Sequence, residues 1–314
     1  MAAAGNVFAF PWETSLMVWL QANLAPIIPV ISQFSALGEE LVLVLLLGYL
    51  VWCYDKKLGR TVGLGILAGL VWNPMIKNVA LRRRPYFDHQ DIKILRVVEP
   101  EADIYDISAQ GYSFPSGHST NAGAVYGGLA VGLKKKTVTI LALIAIFLTG
   151  ISRVIVGAHY PTDVLVGWIL GIAAALIIRW LEEKISSRPV LYGVILLTAL
   201  PGLFWCRTAD YFSGLGLLIG FCAASLVEEK YVRYETSGSL PRKLLRVIGG
   251  GLIFFALNKV LKLPFSAEFL EGGTFAALLV RGARYGIIAF VEFALYPMLF
   301  NRFGTDSAKT EKAQ

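Results

Sequence analysis

Charged residues are scarce in this sequence. Only 16% of its 314 residues are Asp, Glu, Lys or Arg, whereas 56% are hydrophobic. A soluble domain carries about 25% charged residues, so this chain has too few to cover a globular surface. The mean hydropathy is accordingly high, at +0.61. The scarcity of charge excludes a soluble enzyme and a disordered tail protein.

Cysteine is also rare, with three residues that lie far apart in the sequence and at different expected depths. They predict neither a disulfide framework nor a metal cluster. The N-terminal segment MAAAGNVFAFPWE has no basic residue before its apolar stretch, so a cleaved signal peptide is not expected. The three cysteines are Cys53, Cys206 and Cys222.

Long apolar segments separated by short polar loops recur along most of the chain. A membrane-spanning helix needs about 20 predominantly apolar residues. The sequence therefore predicts an all-α, polytopic membrane helix bundle. Gln21, Asn23, Pro26 and Pro29 interrupt the first segment, for which an interfacial position is the alternative. The ten candidate spans are 15–34, 38–54, 60–81, 117–133, 137–157, 162–182, 189–206, 211–228, 247–262 and 272–300.

Basic residues concentrate in alternate loops, after the second, fourth, sixth and eighth candidate spans and in the C-terminal tail. Such loops are retained in the cytoplasm. This preference for the cytoplasmic side explains the net charge of +7. The sequence therefore does not predict a nucleic acid partner. The other loops, including residues 82–116, are then predicted to face the outside of a bacterial-type plasma membrane. The lumen of an endomembrane is equally compatible with this charge pattern.

The loop at residues 82–116 is far longer than the usual connection of about 4–6 residues, and loops of this length are usually functional. Two of the three histidines lie at the predicted outer ends of spans: His118 begins the fourth span, and His159 lies between the fifth and sixth. Lys77 lies at the same predicted face. The third histidine, His89, lies inside the long loop without a recognisable partner pattern.

The polar residues at this predicted face suit a tetrahedral phosphate. Lys77, Arg84 and Arg153 supply cations, and arginine has forked donors that match phosphate oxygens. Ser116 and Gly117 lie at the start of a predicted helix, where unpaired backbone N–H groups favour an anion. Taken singly, Lys77 is more typical of an interfacial anchor and Ser116 of a helix cap. Their order and common face favour one binding site.

Two histidines and an aspartate also suit covalent catalysis. One imidazole can attack phosphorus while the other protonates the leaving oxygen. Asp163 follows His159 by four residues near the start of a predicted helix. Its carboxylate can accept the proton-bearing nitrogen of His159 and so free the other nitrogen for attack. A structural hydrogen-bonded pair is the alternative for these two residues.

These residues resemble the three signature motifs of the type-2 phosphatidic acid phosphatase superfamily. The resemblance extends over roughly residues 38–182 and agrees in residue identity, spacing and order. The motifs are Lys77-x6-Arg84-Pro85, Pro115-Ser116-Gly117-His118 and Ser152-Arg153-x5-His159-x3-Asp163.

The resemblance implies a six-helix core that hydrolyses a phosphomonoester or diphosphate without a metal or other cofactor. By position, it implies that His159 forms a phosphohistidine, that Asp163 orients His159, and that His118 is the general acid. The remaining motif residues would bind the phosphoryl oxygens, namely Lys77, Arg84, Ser116, Gly117 and Arg153.

We expect the phosphatase core at residues 1–185 and a transmembrane extension of about four helices, with no assigned role, at residues 186–314. Ionisable residues within an apolar segment are costly and often functional. Arg281 and Arg284 lie in such a segment, followed by Glu292. In one interpretation, the two arginines reach the headgroup layer or pair with Glu292. In the other, the extension forms a side pocket for a lipid tail or a second headgroup.

The sequence thus predicts an integral membrane enzyme that removes phosphate from a lipid at the outer face. Phosphatidate-like lipids and polyprenyl diphosphate are the leading substrates. The alternatives are a phosphatase or phosphotransferase for soluble sugar phosphates, and a lipid transporter or scramblase whose phosphate site only binds headgroups. Vanadium-dependent haloperoxidases have a similar oxyanion site, but those relatives are soluble. A membrane lipid is the only partner predicted.

Overall fold

The computed structural model describes residues 8–302, which form helices and loops without a β-strand. The prediction of an all-α bundle is confirmed. The helices that precede the extension are α1 (Pro11–Asn23), α2 (Ile28–Gln33), α3 (Glu40–Tyr49), α4 (Lys56–Ala80), α5 (Pro85–Asp88), α6 (Ile107–Gln110), α7 (Gly117–Leu133), α8 (Lys136–Ile155) and α9 (Pro161–Lys184). Those of the extension are α10 (Arg188–Ala199), α11 (Ala209–Val227), α12 (Leu240–Val260), α13 (Ala267–Glu271), α14 (Phe275–Phe290) and α15 (Met298–Arg302).

Each of the ten predicted apolar segments contains at least one helix. In the described part of the chain, α4, α8, α9 and α11 are long and apolar enough to cross a membrane, whereas α3 and α10 are apolar but shorter. The first segment is broken: α1 and the helical stretch Ala25–Gly38 meet the same criterion only jointly and are bent by 75°. Pro26 lies directly after this bend, and Pro29 lies about one turn further along. Because proline lacks a backbone N–H, it interrupts helical hydrogen bonding there.

Glycines spaced four residues apart bring α7 and α9 into close contact. Gly123 and Gly127 of α7 lie against α9, and Gly167 and Gly171 of α9 lie against α7. A Cβ atom at Gly171 would lie only 2.1 Å from the carbonyl oxygen of Thr120. Small residues at this spacing let helix backbones approach closely within a membrane. This packing places the N-terminal ends of α7 and α9 side by side.

In the extension, glycines spaced four residues apart likewise bring two helices, α11 and α14, into close contact. Gly216 and Gly220 of α11 lie against Gly282 and Gly286 of α14, and a Cβ atom at Gly216 would lie 2.0 Å from the Gly282 carbonyl oxygen. On another side, α11 packs against α4, with which it shares the largest apolar cluster of the protein's described part. The extension is therefore joined to the core through α11, and α14 is held in place by α11.

We expect Gly171→Ala to destabilise the protein. Alanine is normally better than glycine in a helix by about 0.5–1 kcal/mol. Here its methyl group would overlap the Thr120 carbonyl, and overpacking costs about 1–3 kcal/mol. Thermal unfolding in detergent measures the change. Gly193→Ala in α10 is the matched control, since a Cβ atom there meets nothing within 4 Å. Equal melting temperatures for the two variants would contradict this packing.

Candidate active site

One cavity of about 440 Å³ brings the three motifs together. Six of the eight predicted site residues line it, whereas Ser116 and Asp163 are fully buried and do not. The motifs reach the cavity from the end of α4, the start of α7, and the segment joining α8 to α9. The six lining residues are Lys77, Arg84, Gly117, His118, Arg153 and His159.

Backbone carbonyl groups hold the guanidinium of Arg84 in place. Its Nε donates to the carbonyl oxygens of Gln110 and Gly111 at 2.9 and 3.1 Å. Its Nη1 donates to the carbonyl oxygen of Ala158 at 3.0 Å. Nη2 makes no hydrogen bond with any residue that the structure describes. This fixed guanidinium therefore has donors left for a ligand in the cavity.

Arg153 and Lys77 supply two further cations. The side chain of Arg153 donates from Nη1 to Ser35 Oγ at 3.1 Å, while its buried Nε has no partner within residues 8–302. Neither Arg153 nor Lys77 forms an ion pair in that range. Arg153 is buried and Lys77 is partly buried, and a charge removed from water without a counter-charge is costly. An anion in the cavity would compensate both of them.

The start of α7 adds backbone donors. Ser116 caps this helix: its Oγ accepts from the Ser119 N–H at 3.4 Å, and its own N–H donates to the Asp163 carbonyl oxygen at 3.0 Å. The first N–H groups of a helix have no partner within the helix. Gly117 and His118 carry such groups and line the cavity. Ser116 thus supports the anion site by shaping the helix end, since its hydroxyl is turned to Ser119.

His159 is oriented through its Nδ1, whereas its Nε2 has only a long contact, at 3.4 Å from Nη1 of Arg84. Its Nδ1 lies 2.8 Å from the carbonyl oxygen of Ser113, which can only accept, so Nδ1 carries the proton and Nε2 the lone pair. Burial lowers the pKa of His159 well below its ordinary value, and the Arg84 and Arg153 cations lower it further. Both effects disfavour the imidazolium form. A neutral ring with an unprotonated Nε2 is the form that can attack phosphorus.

Ser113 lies between His159 and Asp163. The Asp163 Oδ2 is 3.7 Å from His159 Nδ1, which is too far for a hydrogen bond. Oδ2 instead accepts from the Ser113 hydroxyl and, at 2.8 Å, from the Tyr160 N–H. The Ser113 carbonyl therefore holds the imidazole, and Asp163 holds Ser113.

Arg82 lies in a buried ionic cluster, although the Arg82-Arg83-Arg84 run by itself is more typical of a lipid-headgroup patch. Its side chain is 0% exposed and contacts Asp163 Oδ1 and Glu13 Oε2, each at 2.6 Å. The guanidinium also lies 3.8 Å from the centre of the Tyr160 ring. The other oxygen of Glu13 accepts from the N–H and the hydroxyl of Thr162 at 3.0 and 2.6 Å. Glu13 thus caps the start of α9 from α1.

The long loop folds over this region. The Gln110 side chain donates to the carbonyl oxygen of Glu99 at 2.9 Å and accepts from the Val98 N–H at 3.0 Å. Val98 itself lines the cavity. Of the loop's acidic residues, Asp88 pairs with Arg83 and not with Arg84 or Arg153. The loop therefore covers the site and leaves its cations available.

Sequence reasoning missed three residues that shape the site, namely Glu13, Arg82 and Ser113. A carboxylate at position 13 in an apolar N-terminal segment is the one signal that could have indicated a buried partner. Ser113 acts on the imidazole through its main chain, which leaves no signature in the sequence. Within the described residues, no three His, Cys, Asp or Glu side chains form a group that could hold a metal ion.

Two segments of the chain match known protein families. Residues 58–186 match the PAP2 superfamily. The chain thus contains a PAP2 superfamily domain. Residues 212–310 match a second family, described as the transmembrane extension of PAP2 superfamily phosphatases. The resemblance to the type-2 phosphatidic acid phosphatase superfamily is thereby confirmed, and the additional spans are a recognised extension of it.

Curated relatives match this PAP2 protein over shorter segments. It is 41% identical over 89 residues to phosphatidylglycerophosphatase B of Bacillus subtilis, covering 26% of this chain and 44% of the relative. It is 31% identical over 124 residues to an undecaprenyl-diphosphatase of Sulfolobus acidocaldarius, covering 39% and 54%. It is 49% identical over 59 residues to a lipid A 1-phosphatase of Rhizobium etli, covering 19% and 25%. The chain thus spans about half the length of these relatives or less, and no solved structure matches it.

We expect Arg82→Met to abolish activity and to lower the melting temperature. The change would leave the Glu13 and Asp163 carboxylates buried without their cation, and breaking a buried ionic group costs about 3–5 kcal/mol. Arg83→Met is the matched control, because the Arg83 pair with Asp88 is partly exposed and such pairs are worth about 0–1 kcal/mol. Phosphate release and thermal unfolding measure both variants. Similar losses in the two would contradict the special role of Arg82.

Proposed function

We propose that this protein is a membrane-embedded phosphatase that hydrolyses a lipid phosphate or diphosphate through a phosphohistidine at His159. The observation that carries the proposal is one cavity lined by three cations and two histidines, with Nε2 of His159 unprotonated. The names of the three relatives support the substrate class, since each names a phosphatase or diphosphatase of a lipid or polyprenyl compound.

The proposed reaction has two steps. Nε2 of His159 attacks phosphorus, the bond from phosphorus to the leaving oxygen breaks, and His118 donates a proton to that oxygen. Water then attacks the phosphohistidine, His118 takes a proton from the water, and the P–N bond breaks to release inorganic phosphate. Lys77, Arg84 and Arg153 stabilise the phosphoryl oxygens throughout. The steps use protein side chains and water only.

We further infer that the site faces the outside of a bacterial-type plasma membrane. Lys77 is near the C-terminal end of α4, whereas Lys56 and Lys57 begin that helix. Basic loops are retained in the cytoplasm, so the opposite end of α4 faces outward. An endomembrane lumen satisfies the same charge pattern.

We expect His159→Ala to abolish phosphate release with the fold intact. Removal of the nucleophile should lower kcat by about 10³-fold or more. The assay uses purified protein, a panel of lipid phosphates and a chelator. His89→Ala is the control, because His89 does not line the cavity. Full activity of the His159 variant would remove this residue as the nucleophile.

We expect the effect of His118→Ala to depend on the leaving group. General acid catalysis contributes about 10²–10⁴-fold when the leaving oxygen needs a proton. An alkyl phosphate should therefore lose most of its turnover, whereas p-nitrophenyl phosphate, whose leaving group is stable as an anion, should lose little. Comparison of kcat/KM for the two substrates measures this difference, because kcat/KM reports the attack of His159 and not the later hydrolysis of the phosphohistidine, which uses His118 with either substrate. An equal loss on both would show that His118 is not the proton donor.

A further inference from the structure

The cavity continues beyond the phosphate site into the extension. Its far part lies between α3, α4, α11 and α14 and reaches the residues that follow α14. The side chains there are mainly apolar. Examples are Leu43, Leu70, Leu217, Phe221, Ile288 and Phe293. The cavity thus has a cationic end built by the core and an apolar end to which the extension contributes.

The two ends of this cavity match the two parts of a lipid phosphate. The charged head matches the cationic end, and the hydrocarbon chain matches the apolar end. The cavity volume of about 440 Å³ lies within the range of about 300–1,000 Å³ that is usual for small-molecule pockets. A soluble sugar phosphate would leave the apolar end unused. The continuity of the two ends therefore favours one amphiphilic occupant.

We propose that α11 and α14 of the extension form the chain-binding part of the active site, and that Arg281 binds a polar headgroup atom next to the scissile phosphate. This inference rests on the proposed phosphatase function. It assigns to the extension the selection of substrates by chain length and headgroup. The occupant is the phosphorylated lipid that is hydrolysed at His159.

Arg281 differs from the neighbouring Arg284 in its surroundings. The Nε of Arg281 donates to Ser213 Oγ at 2.7 Å, and the side chain lines the cavity. Arg284 does not line it and donates to Asn258 Oδ1 at 3.0 Å, which ties α14 to α12. Among the residues described, neither arginine pairs with Glu292. Arg284 thus has a structural contact, whereas the terminal nitrogens of Arg281 are left for a ligand.

Asp210 connects the Arg281 region with the phosphate site. It lines the same cavity at the start of α11 and interacts electrostatically with Lys77 and Arg84. Glu40 in turn interacts with both Arg281 and Asp210. Ser213, the partner of Arg281, follows Asp210 by three residues on α11, and all three residues line the cavity, so Arg281 belongs to its polar end. A headgroup that reaches the phosphate site comes within this set of charges.

Leu217→Trp tests the chain-binding part of the proposal. Leu217 lines the cavity, and the larger ring would fill the space that a long chain needs. We expect kcat/KM for dipalmitoyl phosphatidate to fall by about tenfold or more, with little change for dihexanoyl phosphatidate. Ile219→Trp is the matched control, because Ile219 lies on the same helix but is 45% exposed. It should leave both substrates unchanged.

Arg281→Gln tests the headgroup contact. We expect a KM for phosphatidate that is raised by about tenfold, with an unchanged KM for p-nitrophenyl phosphate, which lacks the glycerol ester oxygens that lie next to the phosphate of the lipid. Lys259→Gln is the control, since Lys259 is an exposed cation of the extension that does not line the cavity. An unchanged KM for every lipid would overturn the role of Arg281.

The outcomes separate the two proposals. If wild-type protein releases phosphate but Leu217→Trp affects long and short chains alike, the chain-binding inference is wrong and the phosphatase stands. If wild-type protein releases no phosphate from any substrate, both proposals fail. Activity on the short-chain lipid shows that the variant is folded. Leu217→Phe, a smaller change at the same position, replaces Leu217→Trp if that variant does not fold.

Discussion

The catalytic end of the molecule depends on a cation that does not line the substrate cavity. Arg82 is fully buried between the carboxylates of Glu13 and Asp163 and lies over the Tyr160 ring. A charge buried this deeply is tolerated only with paired partners and satisfied hydrogen bonds. The cluster joins α1 to the start of α9, and through Asp163 it fixes Ser113, whose carbonyl holds His159. The position of His159, the proposed nucleophile, is thus set by an ionic cluster behind it.

Arginine has two different roles in this region of the protein. Arg82 has both carboxylate partners, whereas the guanidinium groups of Arg84 and Arg153 are held by carbonyl and hydroxyl oxygens that do not cancel their charge. Hydrogen bonds to neutral groups orient a cation but leave its field intact for a ligand. This difference in partners, and not the residue type, separates structural arginines from those suited to bind phosphate.

The sequence predicted the helices and the cavity-lining motif residues because both depend on local patterns. Apolar length located ten segments that each contain a helix, and motif spacing located the six motif residues that share the cavity. The Arg82–Glu13 pair was not predictable, since its partners lie 69 residues apart and no periodicity links them. Arg281 and Arg284 have equally apolar neighbours in the sequence. Only the packing of α14 decides which of the two faces the cavity. The glycine spacing in α7, α9, α11 and α14 was visible in the sequence, but which helices it joins depends on the fold.

The glycine contacts also explain how an added set of helices can line a cavity that it shares with the core. Lipid tails are as apolar as the side chains, so helices in a membrane associate through close packing and not through the hydrophobic effect. With α11 packed against both α4 and α14, the extension is fixed to the helix that carries Lys77. A cavity wall built on these helices therefore keeps its distance from the phosphate site. The proposed selection of lipid chains by α11 and α14 requires such rigidity, because a loosely attached helix would admit chains of any length.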